Sequence, residues 1–178
     1  MSFNFIKCIM TLCKKEKMEI HENNSIKNDI LSKIKSNANK YILDEINDTS
    51  GINAAKAIAK KSLSNKKKVG CVIVDNGVII STGFNKVPNC IHNKTCEINN
   101  NTHWYVLHAE EDAILKLINQ NIKLNNPTIY STLSPCKNCS KLILQSGIKN
   151  IIYDEEYRDH EGIELLKAAD INIAKFNN

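Results

Sequence analysis

Arginine is nearly absent from this chain: Arg158 is the only one among 178 residues, and the net charge of +5 comes from lysine. Forked guanidinium contacts are common where proteins hold nucleic-acid phosphates, so this shortage disfavours a large nucleic-acid interface. The sequence also lacks an apolar run of about 20 residues, the length that a membrane-spanning helix needs. We therefore expect neither a nucleic acid nor a membrane among the partners of this protein.

Cysteine is present in an odd number, seven, and no secretory signal peptide precedes these residues. Thiolates that bind a metal in a reducing compartment explain such cysteines better than disulfides do. The sequence therefore predicts a cytoplasmic protein with a metal site.

Two regions of the chain differ in pattern. Residues 1–50 are polar and rich in asparagine, and we expect an N-terminal extension to which the sequence assigns no role. Residues 51–178 alternate strand and helix patterns, which predicts one layered α/β domain. The predicted elements are a helix over 54–61, strands over 69–74 and 78–83 joined by a turn at 75–77, a helix from 109, a strand over 128–133, a helix ended by Gly147, a strand over 150–153, a helix over 161–169 and a strand near 171–173.

Two short motifs in the second half of the chain are typical of one enzyme class. They are His108-Ala109-Glu110 and Pro135-Cys136-Lys137-Asn138-Cys139. Together they match the signature of zinc-dependent nucleobase deaminases. A Cys-x-x-Cys pair alone is also typical of a structural zinc half-site or a redox pair, but neither of these needs the glutamate.

The signature assigns a role to each residue. We expect His108, Cys136 and Cys139 to bind zinc, because a catalytic zinc ion takes three protein ligands and keeps a fourth position for water. Glu110 would then move protons from this water to the ring and to the departing amine, as general base and general acid in turn. The sequence predicts a hydrolytic deaminase.

From about Ala54 to Ile173 the chain resembles the cytidine deaminase superfamily, and most closely its deoxycytidylate (dCMP) deaminases. Beyond the two motifs, residues 69–74, 81–85, 146–153 and 157–166 carry the resemblance. It implies a three-layer α/β/α domain with a mixed five-stranded sheet. It also implies conversion of dCMP to dUMP and ammonia in pyrimidine deoxynucleotide metabolism, with zinc as cofactor, by a homo-oligomer.

The resemblance extends to substrate contacts. Asn85 matches an asparagine that binds a sugar hydroxyl in related enzymes, although a turn residue is the alternative for it. The backbone at Ala109 and Ser134 would contact the pyrimidine.

The phosphate and the base have further candidate contacts. Lysines of residues 60–68 or Arg158 would hold the phosphate, although charged runs are often only a solvated face. Tyr153 or Trp104 would stack near the base, with ordinary packing as the alternative.

Residues 86–107 resemble an insertion of dCMP deaminases that a minimal nucleoside or tRNA deaminase is not expected to have. This segment contains Cys90, His92, Cys96 and His103. Their ligand types predict either a second, structural zinc site or a flexible loop with free thiols.

Two positions depart from the family pattern. The loop over 86–91 lacks the glycines and the acidic residue associated with triphosphate regulation, so feedback control by dCTP and dTTP is not predicted. Asparagine is commoner where this chain has Asp112, and an acid there is expected to alter a hydrogen bond below the site.

Three hypotheses follow from the sequence. The first is a dCMP deaminase, and the second is a deaminase of a nucleoside, a riboflavin-pathway pyrimidine or a tRNA base. The third is a non-catalytic zinc-stabilised interaction module, against which the complete set of His108, Glu110, Cys136 and Cys139 argues.

Overall fold

Helices and strands alternate around one central sheet in the computed structural model, which describes residues 46–92, 94–118 and 124–177. Of the predicted extension over residues 1–50, residues 1–45 lie outside this described part. The elements are α1 (Asp48–Ala59), β1 (Gly70–Asp75), β2 (Val78–Phe84), β3 (Glu97–Ile98), β4 (Asn101–Thr102), α2 (Ala109–Ile118), β5 (Thr128–Leu133), α3 (Lys137–Ser146), β6 (Asn150–Glu155), α4 (Glu161–Ala168) and β7 (Asn172–Lys175).

The main sheet has five strands in the order β2-β1-β5-β6-β7. The β1 strand pairs antiparallel with both β2 and β5, whereas β6 pairs parallel with both β5 and β7. The predicted mixed five-stranded sheet is thus confirmed. Its parallel half places the carboxyl ends of β5 and β6 side by side, and the site described below lies there.

A two-residue turn joins β1 to β2. Asn76 and Gly77 both have positive φ, 50° and 73°, as a type I′ hairpin requires. The carboxylate of Asp75 accepts hydrogen bonds from the backbone N–H groups of Asn125 and Asn126, both at 2.9 Å. The predicted turn at 75–77 is confirmed, and Asp75 connects it to the chain that enters β5.

The side chains of β1 divide the core between two faces of the sheet. Cys71 and Ile73 belong to a cluster that includes residues of α2, α3 and α4. Val72 and Val74 belong to a second cluster, with Ile52 of α1. Helices therefore cover both faces, which confirms the three-layer α/β/α architecture.

The α1 helix begins at Asp48, earlier than the predicted start at residue 54. Asn47 caps it, because its side-chain oxygen accepts a hydrogen bond of 2.9 Å from the Ser50 N–H. Gly51 weakens the local helix signal, but a Cβ at this position would lie 2.6 Å from the ring of Tyr130. Packing against β5 therefore favours glycine here, and this reason is not visible in the local sequence.

The insertion starts and ends at one point beside the site. Lys86 and Leu107 form an isolated bridge, with N–H to carbonyl distances of 3.1 and 2.9 Å. Between them, β3 and β4 form a short antiparallel hairpin.

Within the described part of the chain, no helix is long and apolar enough to cross a membrane.

Candidate active site

The start of α2 presents the histidine and the glutamate of the first motif. His108 precedes the helix, and its carbonyl accepts the Asp112 N–H at 2.9 Å. The Glu111 carboxylate accepts the backbone N–H of His108 at 3.2 Å, which is one half of a capping box. These bonds fix the backbone of His108 where the helix begins, and Glu110 lies in the first turn.

The junction between β5 and α3 presents the two cysteines. Cys136 is the N-cap of α3, and Cys139 lies in its first turn. The Sγ atoms of both cysteines lie 3.4 Å from Nδ1 of His108. The three donor atoms all lie within 4.8 Å of one another, so the structure brings the predicted ligand set together.

The charges in this cluster suit a metal cation. Hydrogen bonding by Cys139 and by His108 lowers the pKa of Cys136 to about 3, and the bond with Cys136 raises the pKa of His108 to about 9. The Cys136 thiolate, together with burial, raises the pKa of Cys139. Two thiolates so close repel each other unless a cation lies between them, and one nitrogen with two sulfur donors is a set that zinc prefers.

Glu110 lies buried beside the cluster and is 3% exposed. Its Oε2 atom is 3.6 Å from Sγ of Cys139. Burial raises the pKa of Glu110 to about 7. A carboxyl group with such a pKa accepts and releases a proton readily at neutral pH, as a general acid-base catalyst must.

A cavity of about 140 Å³ adjoins these groups. Residues of the two motifs belong to its wall, among them His108, Glu110 and Cys136. Other segments contribute further wall residues, among them Ser64, Thr102 and Tyr157. The candidate proton carrier and two of the three candidate ligands thus face one space, into which a small molecule could enter.

Three of the predicted substrate contacts line this cavity: Asn85, Ala109 and Ser134. The Asn85 side chain is held by the 60–69 loop, because its Oδ1 accepts the Val69 N–H at 2.8 Å and its Nδ2 donates to the Lys67 carbonyl at 2.9 Å. The Ser134 hydroxyl accepts the Tyr157 N–H at 2.8 Å.

The other two predicted contacts, Tyr153 and Arg158, are outside the cavity lining. Tyr153 is buried within β6, at 7% exposure. The Arg158 guanidinium lies 5.8 Å from the ring of Tyr157, and Tyr157 lines the cavity instead. Trp104, at 90% exposure, is also outside this lining.

Ser64 and Thr102 have no role predicted from the sequence, and Lys67 is predicted only as one member of the lysine run over residues 60–68. All three line the cavity. Their loops are distant in sequence from both motifs, so no local pattern marks them. The lysine run was the one available signal, since it predicted a phosphate contact somewhere in residues 60–68.

The four candidate ligands of a second zinc do not form a cluster. All four lie in the described part of the chain, and there no three of them come within ligand distance of one another. Cys96 is buried at 5% exposure, whereas Cys90 and His92 are exposed. The His103 ring stacks on Tyr105, with centroids 4.3 Å apart.

The acid at position 112 has two cationic partners below the site. The Asp112 carboxylate lies 3.0 Å from Nζ of Lys86 and 2.7 Å from Nζ of Lys116, and Asp112 is only 4% exposed. It also accepts the Phe84 N–H at 3.4 Å. The acid therefore joins α2 to the end of β2 and to the first residue of the insertion.

Comparison with known proteins identifies relatives. The sequence model of the cytidine and deoxycytidylate deaminase zinc-binding region matches residues 46–155. The deoxycytidylate deaminase of Saccharomyces cerevisiae is 36% identical over 129 residues, which cover 67% of this chain and 41% of the yeast protein. That of Enterobacteria phage T4 is 30% identical over 171 residues, covering 67% of this chain and 89% of the phage protein.

A solved structure agrees with these matches. The dCMP deaminase from the cyanophage S-TIM5, in complex with dCMP and dUMP, is 33% identical, with a TM-score of 0.67. The match covers 70% of this chain and 93% of the cyanophage chain. This chain spans less than half the length of the yeast relative but nearly all of the cyanophage one.

Proposed function

Because the chain belongs to the family of cytidine and deoxycytidylate deaminases, we propose that it is a zinc-dependent hydrolase that converts dCMP to dUMP and ammonia. The observation that carries this proposal is the meeting of His108, Cys136 and Cys139 beside the buried Glu110. The similarity to deoxycytidylate deaminases of a yeast and two phages supports dCMP as the substrate. Such an enzyme would act in pyrimidine deoxynucleotide metabolism.

In this mechanism His108, Cys136 and Cys139 would hold zinc. When bound, zinc supplies Lewis acidity that makes hydroxide available from water near neutral pH. Glu110 accepts the proton that water loses and passes it to the ring nitrogen beside the attacked carbon. It then takes the second proton of the water, from the hydroxyl group now on that carbon, and passes it to the amine, which leaves as ammonia while the oxygen stays as the ring carbonyl.

The cavity wall would bind the nucleoside part of the substrate. We propose that Ala109 and Ser134 contact the pyrimidine through their backbone and that Asn85 contacts the sugar, since all three line the cavity. Tyr157 supplies an aromatic side chain to the same wall. The bonds that hold Asn85 to the 60–69 loop keep its amide in place before substrate binds.

Lys67 is the candidate phosphate contact. It lines the cavity, and its Nζ lies 2.5 Å from the Glu155 carboxylate. The two side chains are 49% and 58% exposed, and exposed pairs of this kind stabilise a fold by only about 0–1 kcal/mol. A substrate phosphate can therefore replace Glu155 as the partner of Lys67 at little cost.

We also propose that the protein is a homo-oligomer in the cytoplasm. Apolar side chains on α2 and α3 are exposed, including Ile118 at 69% and Leu115 at 42%, and a second copy would bury them. None of the five cysteines in the described part of the chain forms a disulfide, which fits a reducing compartment. Molar mass from light scattering tests the oligomeric state.

The decisive experiment measures ammonia release and the ultraviolet change with zinc-loaded protein on dCMP, CMP, deoxycytidine and dCTP. We expect dCMP to be the best substrate. Glu110→Gln should abolish turnover, whereas Glu164→Gln, which changes an exposed glutamate of α4, should retain it. Inactivity on all four compounds would contradict the proposal and favour another base or a non-catalytic role.

A further inference from the structure

Two segments that are distant in sequence meet at the wall of the cavity. One is the loop between α1 and β1, which contributes Ser64 and Lys67, and the other is the β3–β4 hairpin, which contributes Thr102. Glu97, in β3, connects them. Its carboxylate accepts a hydrogen bond from the Ser64 hydroxyl and a second bond, at 3.2 Å, from the Asn65 N–H.

The carboxylate of Glu97 stays charged at neutral pH. The hydrogen bond from Ser64, together with the backbone N–H groups of Asn65 and Lys66, holds the pKa of Glu97 below its usual range. Three consecutive residues of the loop thus donate hydrogen bonds to the Glu97 carboxylate. Hydrogen bonds to a charged group are among the stronger ones that a protein makes.

The rest of this loop is held by residues near the catalytic cluster. The Ser62 hydroxyl donates to the Asn85 carbonyl at 2.8 Å, and the Lys67 carbonyl accepts from the Asn85 amide at 2.9 Å. Ser62 and Ser64 are buried, at 0% and 4% exposure. Asn85 therefore bonds to Ser62 and Lys67, the two ends of the segment over residues 62–67. Glu97 bonds to residues 64–66 between them, directly before Lys67.

The contacts of Glu97 reach Lys67 through this backbone. The Ser64 hydroxyl donates its hydrogen to Glu97, so this hydrogen is not available to a phosphate. Lys67 supplies a positive charge at the cavity wall, and its backbone follows directly after the three residues that Glu97 holds. A loop fixed in this way loses less conformational entropy when a phosphate binds.

We propose that Glu97 is a positioning residue for the nucleotide phosphate: it fixes residues 64–66, and thereby sets Lys67 so that the enzyme prefers dCMP to deoxycytidine. This inference rests on the proposed deaminase function. It assigns a part of the substrate specificity to the insertion, which has no residue in the two catalytic motifs.

The test compares kcat/KM for dCMP with that for deoxycytidine. In Glu97→Ala we expect the value for dCMP to fall about tenfold, mainly through KM. A loss of this size corresponds to one charge-assisted hydrogen bond, here the bond from Lys67 to the substrate phosphate. The value for deoxycytidine should stay within about twofold, because this substrate has no phosphate to position. Glu97→Gln keeps an acceptor oxygen and should restore part of the preference for dCMP. Glu164→Ala, with an exposed glutamate of α4 removed, should leave the ratio unchanged.

A double-mutant cycle tests the route through Lys67. Lys67→Ala should lower the preference for dCMP, and adding Glu97→Ala to it should change the preference little further, because both act on one contact. Additive losses, an equal fall for both substrates, or an unchanged ratio in Glu97→Ala would each overturn the inference. Wild-type protein without dCMP turnover would instead overturn the proposed function, and the inference with it.

Discussion

Asp112 is a buried acid whose charge is balanced from two directions. Its carboxylate contacts Lys86 at the start of the insertion and Lys116 one turn further along α2. The Lys116 ammonium also donates to the Thr82 carbonyl at 2.7 Å. The acid and its lysines thus connect β2, α2 and the insertion at one point below Glu110.

Replacing Asp112 should therefore destabilise the fold. We expect Asp112→Leu to cost about 3 kcal/mol of unfolding free energy, because it leaves partly buried ammonium groups without an anion. Asp112→Asn keeps an acceptor and should cost less, about 1 kcal/mol. Denaturant unfolding of the purified variants measures both values. Equal losses in the two variants would show that the negative charge, and not an acceptor oxygen, determines the effect. An Asp112→Leu protein as stable as the wild type would contradict the role of the ion pairs.

The predictability of the site differs from residue to residue. His108, Glu110, Cys136 and Cys139 are marked by spacing, because a helix start places residues a few positions apart on one side of the backbone. The roles of these residues stay predictions until a metal and a substrate are measured. Tyr157 is different: which aromatic residue lines the cavity depends on the direction in which the chain leaves β6, and local spacing does not determine this.

At the scale of elements, close approach of β2 and α2 places the catalytic helix. A Cβ on Gly83 would lie 2.0 Å from the Ala109 carbonyl oxygen and 2.5 Å from the Ala113 nitrogen. Both atoms belong to the backbone of α2, which cannot move without moving Glu110. Glycine at position 83 thus allows the helix to lie directly on the strand.

Gly83→Ala should lower stability and activity together. We expect a loss of about 3 kcal/mol in unfolding free energy, as for overpacked cores, and a lower kcat because α2 shifts away from the cysteines. Gly147→Ala is the control: this glycine has a φ of 79° and open space around it. That variant should lose only about 1 kcal/mol, the cost of a left-handed conformation, and keep its activity. A Gly83→Ala protein with unchanged kcat would contradict this account.

Element boundaries were predictable where the signal is local. The strand over 128–133 was predicted as observed, since a run rich in β-branched residues ends at Ser134-Pro135. The start of α1 was not predicted, because Gly51 is a poor helix former. It is favoured here only because the Tyr130 ring packs too close to leave room for a Cβ. The β3–β4 hairpin was not predicted either. Its strands have two residues each, too few for a period to be visible.

At the scale of the whole molecule, the candidate metal cluster joins two halves of the fold. His108 precedes α2, which packs on β2, whereas both cysteines follow β5. A metal ion held by all three would therefore cross-link the hairpin side of the sheet to its parallel side. A ligand that binds the folded chain alone stabilises it by an amount that grows with the free ligand concentration.

Zinc should consequently raise the thermal stability of the entire domain. Each tenfold increase of free zinc above the dissociation constant adds about 1.4 kcal/mol to the unfolding free energy, so Tm should rise with zinc and fall with a chelator. Cys136→Ala removes a ligand at the α3 N-cap, and its Tm should respond little to zinc. Cys90→Ala changes an exposed cysteine outside the cluster and should respond like the wild type. If Cys136→Ala gained as much stability from zinc as the wild type, the metal would bind elsewhere, and the cross-link between the two sides of the sheet would have to be abandoned.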